Sequence, residues 1–376
     1  MNQRFFLTLR MGSLMNPSPV PQQVIEALTD VSVSSTVGAQ SGFQLKFTLG
    51  KNSLLGRTLL PSGFFDPRQR VIITVSVNGG LEVLMDGIIT KHDVTPSSEP
   101  GKSTLTVTGM DLSALMDFID LTGIPYPGVP NFVIVDIVLA KYLAFGCVPV
   151  VIPDLINMIK NPIEKFPKQV GTDYRYVNAL GQKSGYIFYI DPGPEPGMSL
   201  AYWGPDFGGF LPTQPALSIN MDAATNVESL NFSYNGLAAT QYLATILEPN
   251  SKIPIPIPIP AIDFLKASLS SQAPTPLKSK VIPDLASKSF PEAALLVIGA
   301  LMATDDAITG SGSLDVLRYG HVLKARRKVG VRGAGDYYDG LYNVKSVNHT
   351  IKRGEYKQSF TLVRGGVKSS VSTVEL

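Results

Sequence analysis

Histidine, cysteine and carboxylate side chains would carry chemistry in a chain of this kind, and here they stand apart from one another. The three histidines, His92, His321 and His349, have no Cys, Asp or Glu at metal-site spacing. Each reads as a surface, interface or packing residue, His349 just before a hairpin turn. The one cysteine, Cys147, lies in Leu143-Ala144-Phe145-Gly146-Cys147-Val148. A single thiol makes no intramolecular disulfide, and in such company it reads as a small buried hydrophobe. Gly101-Lys102-Ser103 matches the tail of a phosphate-binding loop, but Pro96 occupies the position of that loop's first glycine and a strand follows where a helix is required. No Gly-x-Ser-x-Gly elbow occurs. Asp305-Asp306, Asp222 and Glu228 are the carboxylates left for acid–base work, and none has a partner at a recognisable spacing. No catalytic, cofactor-binding or metal-ligating residue is assigned, and no cofactor is expected.

Charge points to assembly instead. Only 16% of the 376 residues are charged and 44% are hydrophobic, against roughly a quarter charged in ordinary soluble domains. A subunit that buries much of its surface against neighbours fits this composition. The net charge of +2 excludes a global polyanion-binding role. Between Arg318 and Lys368, basic residues far outnumber the acids Asp336, Asp339 and Glu355, and Lys324-Ala325-Arg326-Arg327-Lys328 is the densest run. An acidic partner surface and solvated edge-strand lysines are the two main readings of this patch. Nucleic acid ranks third, because no aromatic stacking residues interleave with the run.

The elements that must position these groups are mostly strands. Residues 1–110 hold strand-like runs at Phe5–Arg10, Val31–Val37, Phe43–Leu49, Val71–Val77, Leu81–Thr90 and Ser103–Gly109, with Asn78-Gly79-Gly80 as a tight turn and a short helix over Pro21–Leu28. This is the pattern of a small closed or nearly closed barrel. A capped helix start follows at Asp111–Asp117, then a helix over Phe132–Leu143. A third, capped at Thr172-Asp173, runs through Tyr174–Lys183 to Gly185 and a strand over Tyr186–Pro192. Strands return at Ala216–Met221 and Val227–Asn235. The repeat Ile253–Pro260 predicts an extended polyproline stretch, a stiff spacer or strap. Residues 290–305 predict a buried helix, and Gly310-Ser311-Gly312-Ser313 a flexible joint. No signal peptide and no membrane span are expected.

The chain closes on a hairpin, Tyr338–Val363, turning at Lys352-Arg353-Gly354-Glu355. In strict alternation Leu341, Asn343, Lys345 and Val347 share one face and Tyr342, Val344, Ser346 and Asn348 the other. Both faces are mixed, which suggests a second surface turned to a lumen, a subunit or a partner.

Leu84–Thr90 followed by Leu105–Asp117, the helix-then-strand segment Gly171–Asp191, and the closing hairpin resemble, in that order, elements of the baseplate hub proteins of contractile phage tails and injection systems, the late control protein D family. The resemblance spans nearly the whole chain. It implies an α+β, β-rich fold with two tail-tube-like β-barrels and α/β insertions. The first barrel would occupy 1–113, an α/β insertion 114–214, a split second barrel 215–236 plus 310–366, a Pro-rich and helical insertion 237–309, and a tail 367–376. It further implies a homotrimer forming a pseudo-six-fold ring between a six-fold inner tube and a three-fold spike. The expected partners are itself, the inner tube protein, a separate spike protein, other baseplate proteins and cargo in the lumen; the expected place is the baseplate of a tail or injection particle. Edge strands over Phe43–Leu49, 341–349 and 356–363 are expected to carry subunit contacts through Phe43, Leu45, Phe47, Val347 and Phe360. Lys324, Arg326, Arg327 and Lys328 are expected to form a charged contact with a partner or the lumen. The alternative is an envelope-binding or hydrolytic tail-tip protein with Asp305, Asp306 or Asp222 as acids.

Overall fold

The computed structural model describes residues 5–50, 52–99, 101–153, 167–206, 212–247, 253–256, 269–272, 274–283, 285, 290–302 and 306–370. The fold is α+β and dominated by strands. The N-terminal part holds β1 (Phe5–Ser13), β2 (Asn16–Pro19), α1 (Gln22–Ala27), β3 (Leu28–Thr36), β4 (Gly42–Thr48), β5 (Arg70–Val77), β6 (Gly80–Thr95) and β7 (Thr104–Asp111). An α/β segment follows with α2 (Asn131–Ala140), β8 (Cys147–Val151), α3 (Asp173–Ser184), β9 (Tyr186–Pro192) and β10 (Ser199–Pro205). Next come β11 (Gln214–Ser218), β12 (Ser229–Tyr234) and the short ribbons β13 (Thr240–Leu243), β14 (Thr245–Leu247), β15 (Pro254–Pro256), β16 (Ser270–Gln272) and β17 (Lys278–Val281). Helix α4 (Phe290–Met302) leads into β18 (Ile308–Asp315), α5 (Val316–Tyr319), β19 (Lys328–Arg332), β20 (Gly340–Lys352), β21 (Glu355–Arg364) and β22 (Val367–Ser369).

One 13-stranded sheet joins the two ends of the chain, in the order β12-β18-β21-β20-β3-β4-β7-β6-β5-β1-β2, with β19 and β11 attached beside β20. The seam is β3 against β20, antiparallel from Asp30↔Lys352 to Thr36↔Ser346. A single core runs beneath both halves, with Leu9, Val33 and Phe47 from one and Leu217, Val331 and Phe360 from the other. Inward-facing apolar residues on β3 and on both its neighbours make this seam cohesive, and its ladder hydrogen bonds leave no free backbone there. The strands expected to be sheet edges are therefore interior. β4 lies between β3 and β7, β20 between β3 and β21, and β21 between β20 and β18.

The mixed faces of the closing hairpin have a local cause. The register of β20 on β21 slips between Val344 and Ser346, so Lys345 is the extra residue of a β-bulge and is exposed. A bulge reverses which parity points inward. Tyr342 and Val344 face the core before it, and Val347, His349 and Ile351 after it. Gly310 and Gly312 also differ from expectation. They are not a joint but the interior of β18, paired with β12 and β21. A Cβ on Gly312 would stand 2.7 Å from the Phe360 ring, and one on Gly310 2.9 Å from the Phe232 ring. The glycines are notches that admit aromatic side chains.

Gly109 on β7 is the tightest such notch, with its absent Cβ 2.2 Å from both the Ile88 carbonyl oxygen and the Phe43 ring. Gly109→Ala is expected to cost about 3 kcal/mol, since a backbone carbonyl on one side and a packed ring on the other leave little room to relax. A chemical-denaturation midpoint unchanged by the substitution would refute the placement of Phe43 over β7.

The α/β segment packs its own core of Ile88, Leu112, Val138, Val177, Phe188 and Trp203 against the sheet. Its helix α3 follows expectation: Thr172 Oγ1 accepts from Arg175 N at 3.4 Å, and Gly185 ends the helix at φ 68°. Asp111 caps not an α-helix but a 3-10 turn over Leu112–Asp117. In the Ile-Pro repeat, Ile255, flanked by prolines that lack a donor, centres a short antiparallel ladder on β14; residues 257–260 lie outside the described residues. Among the described residues no helix is long and apolar enough to cross a membrane.

Candidate functional site

The feature that invites a functional reading is the face of the large sheet turned away from the core. Cross-strand partners share a face, so the pairing registers assign its rows. One row runs Ser229, Ser313, Ser359, Asn348, Ser34 across β12, β18, β21, β20 and β3. The next runs Asn231, Ser311, Thr361, Ser346, Thr36 over the same strands. A third continues Thr350, Ser32, Gln44, Thr108 across β20, β3, β4 and β7. All of these residues are exposed or half-exposed, although the Thr108 hydroxyl itself is buried without a partner. Most of the charge lies at the border, where Glu355, Lys352, Asp30 and Lys46 alternate as successive cross-strand partners; within the rows, Lys345 stands exposed at the bulge beside Ser346. Lys357 there bonds Glu228 at 2.9 Å, and Lys91 bonds Asp93 at 2.9 Å. A wide exposed sheet normally carries many charged residues that block unwanted pairing; this one carries hydroxyls.

Three buried polar junctions hold the face in shape. Arg326, at φ 64°, sends its guanidinium to Asp191 Oδ1 at 2.5 Å, Ser35 Oγ at 3.1 Å and the Thr36 carbonyl at 3.0 Å, over the ring of Tyr189. It thereby ties the β3–β4 turn to β9. Beside it Asp111 accepts from Ser41 N at 2.6 Å and Ser113 N at 2.9 Å; burial raises its carboxyl pKa against the pull of these bonds and of Arg326. Arg70 and Asp86 form a bidentate pair at 2.7 Å for each contact. In the third, the segment before β19 has its peptide groups taken by two glutamine side chains. Gln358 pairs with both backbone groups of Leu323 and Gln214 with both of Lys324, as another strand would.

These placements correct the residue-level expectations. Phe43, Leu45, Phe47, Val347 and Phe360 are at most 3% exposed inside the chain's own core, which leaves a neighbouring subunit nothing to touch. The basic run also turns inward: Arg326 is buried, Lys324 pairs with Glu82, and Arg327 and Lys328 are half-buried. Within the run, Asp191 neutralises Arg326 and Glu82 neutralises Lys324, while Arg327 Nε is buried without a hydrogen-bond partner. Asp222 lies on an exposed turn and Asp305 outside the described residues. No cluster of metal-ligating side chains occurs among the described residues. His92 Nδ1 lies 3.0 Å from the Phe65 carbonyl, His321 packs edge-on to Tyr319, and His349 is buried. Burial pushes the Cys147 thiol up to about 12, with nearby Asp86 adding to the rise. Apart from the face, a cleft of about 550 Å³ opens between Phe5, Leu7, Leu28, Val31 and Ile351. The hydroxyl rows were open to a sequence reading, since Ser32/Ser34/Thr36, Thr104/Thr106/Thr108 and Thr309/Ser311/Ser313 each alternate with period two.

No protein-family model and no curated protein matches the sequence. Solved structures do match the fold. A tail protein from Neisseria meningitidis MC58 superimposes over 97% of this chain and 98% of its own at a TM-score of 0.58 and 14% identity. The 43 kDa tail protein of prophage MuSo2 from Shewanella oneidensis does so over 96% and 98% at 0.57 and 14%. An E. coli component of the type VI secretion system, described as structurally similar to the T4 bacteriophage tail proteins gp27 and gp5, matches over 91% and 76% at 0.50 and 12%. The chain shares the fold of these tail and secretion-system proteins.

Proposed function

We propose that the chain is a structural hub in the baseplate of a contractile phage tail or injection system. Three copies form a ring of pseudo-six-fold character, each contributing two tube-like β-barrels, between an inner tube and a spike. The hydroxyl face lines the axial channel. The observation that carries this reading is that face: a broad sheet surface with so little charge departs from the charged surface usual for a free monomer and fits one that assembly encloses. The fold shared with tail proteins over almost the full chain supports it, as does the low charge content of the sequence. The chain is structural rather than catalytic in this reading; Asp222, alone on an exposed turn, supports no acid–base pair.

Light scattering on the purified chain, alone and with the spike protein made beside it, tests the proposal. A trimer, or a monomer that becomes trimeric with the spike, is expected. A persistent monomer, together with particle images lacking three-fold density on the axis, would sink the hub reading.

A further inference from the structure

We infer that the hydroxyl face is adapted to the passage of polypeptide rather than nucleic acid, an inference that rests on reading that face as a channel wall. Duplex DNA presents charge of one sign at about every 1.7 Å. A wall of the same sign never holds it, and a basic wall arrests it. A polypeptide is harder to pass. It presents both signs of charge and apolar groups, so a wall of either net charge retains oppositely charged segments and an apolar wall retains hydrophobic ones. The wall that retains none of these is neutral, hydrated and without apolar relief.

The rows have this chemistry. Ser34, Ser359, Ser313 and Asn231 are small and uncharged, and each side chain can both donate and accept a hydrogen bond. Met110, 41% exposed at the β7 end, is the large apolar side chain on those rows. On the border, Lys46, Lys352 and Lys357 have Asp30, Glu355 and Asp315 as cross-strand partners, and Lys91 pairs with Asp93 two residues along the same strand. Opposite charges this close cancel well within the screening length of about 8 Å at physiological salt. Arg326 is held in its clamp and Arg364 lies on the core side of β21 over the ring of Tyr342, which leaves Lys345 as the basic side chain within the rows.

The test uses the particle that incorporates the chain, carrying Ser34→Asp/Asn231→Asp/Ser359→Asp, its lysine counterpart, or Ser34→Asn/Ser359→Asn as a neutral control. Protein content of the lumen is read by mass spectrometry, delivered protein by a recipient-cell reporter, and enclosed DNA by nuclease protection. Both charged variants are expected to lower protein delivery about tenfold, the effect of one or two added contacts between opposite charges, with the control unchanged and particles imaged intact. Delivery indifferent to both signs of charge, or nuclease-protected DNA in the wild-type lumen, would overturn the inference. If images of wild-type particles place the chain off the axis, the hub reading itself falls and takes this inference with it.

Discussion

Replacing Asp86 by alanine is expected to unfold the chain at ordinary temperatures or to lower its stability by about 3–5 kcal/mol, the cost of stranding a buried partner charge. The side chains of Arg70 and Asp86 are 4% and 0% exposed. Arg70 spends Nε and Nη2 on the carboxylate, Nη1 on the Leu14 carbonyl at 2.9 Å and Nη2 also on the Gly197 carbonyl at 3.2 Å. Ser199 Oγ lies 3.5 Å from Asp86 Oδ2. The pair thus stands between β5 and β6 of the sheet and the β9–β10 turn of the α/β segment. Removing Asp86 leaves a guanidinium with two carbonyls and no counter-charge. Removing both charges at similar volume, as in Arg70→Met/Asp86→Leu, is expected to recover most of the loss, because an apolar pair avoids desolvating two ions. Thermal melts of the single and double variants decide the matter. A second readout is Cys147, buried beside the pair: its thiol resists a disulfide reagent in the native chain and becomes reactive in Asp86→Ala as the segment loosens. An Asp86→Ala chain as stable as wild type would refute a buried, charged pair.

What was legible in the sequence had local causes. Thr172-Asp173 and Gly185 bracket α3 because a cap and a left-handed turn each act within one helical turn. The strands of the N-terminal part announce themselves by alternation, and Asn78-Gly79 adopts the positive φ angles a tight hairpin needs. What was not legible depends on partners distant in sequence. Lys345 reads as one more residue of an alternating strand until its neighbours on β21 slip by one. Phe43 reads as an exposed edge aromatic because nothing local says that β3 and β7 flank it. Arg326 reads as part of a basic patch because Asp191, which neutralises it, lies 135 residues earlier. Gln214 and Gln358 drew no attention, since a glutamine that replaces a strand looks like any other polar residue. The candidate face suffers the reverse problem. Its serines and threonines were in plain view, but only the register shows that they fall in common rows.

The seam between the two halves is expected to weaken in acid through one residue, His349. Its ring is buried between β3 and β21, opposite Gln358 and Val33. Nδ1 lies 2.8 Å from the Tyr356 hydroxyl and 3.2 Å from Gln358 Nε2. Both can donate to it, so the nitrogen is an acceptor and carries no proton. Burial, with the nearby charge of Lys324 adding to it, pulls the imidazole pKa from 6.5 to about 3. The folded state therefore binds fewer protons than the unfolded one between those values, and stability rises with pH across that window. The contribution is fully present above about 6.5 and is lost as pH falls towards 3, by about 1.4 kcal/mol per pH unit. His349→Gln keeps an acceptor for Tyr356 and removes the titration. Between pH 7 and pH 4.5 the wild type is expected to lose about 2–3 kcal/mol more than this variant, measured by urea unfolding at each pH. Equal losses would show that His349 is solvated or already charged. At mildly acidic pH the imidazole stays neutral in the fold, so acidification of that degree weakens the seam without protonating it.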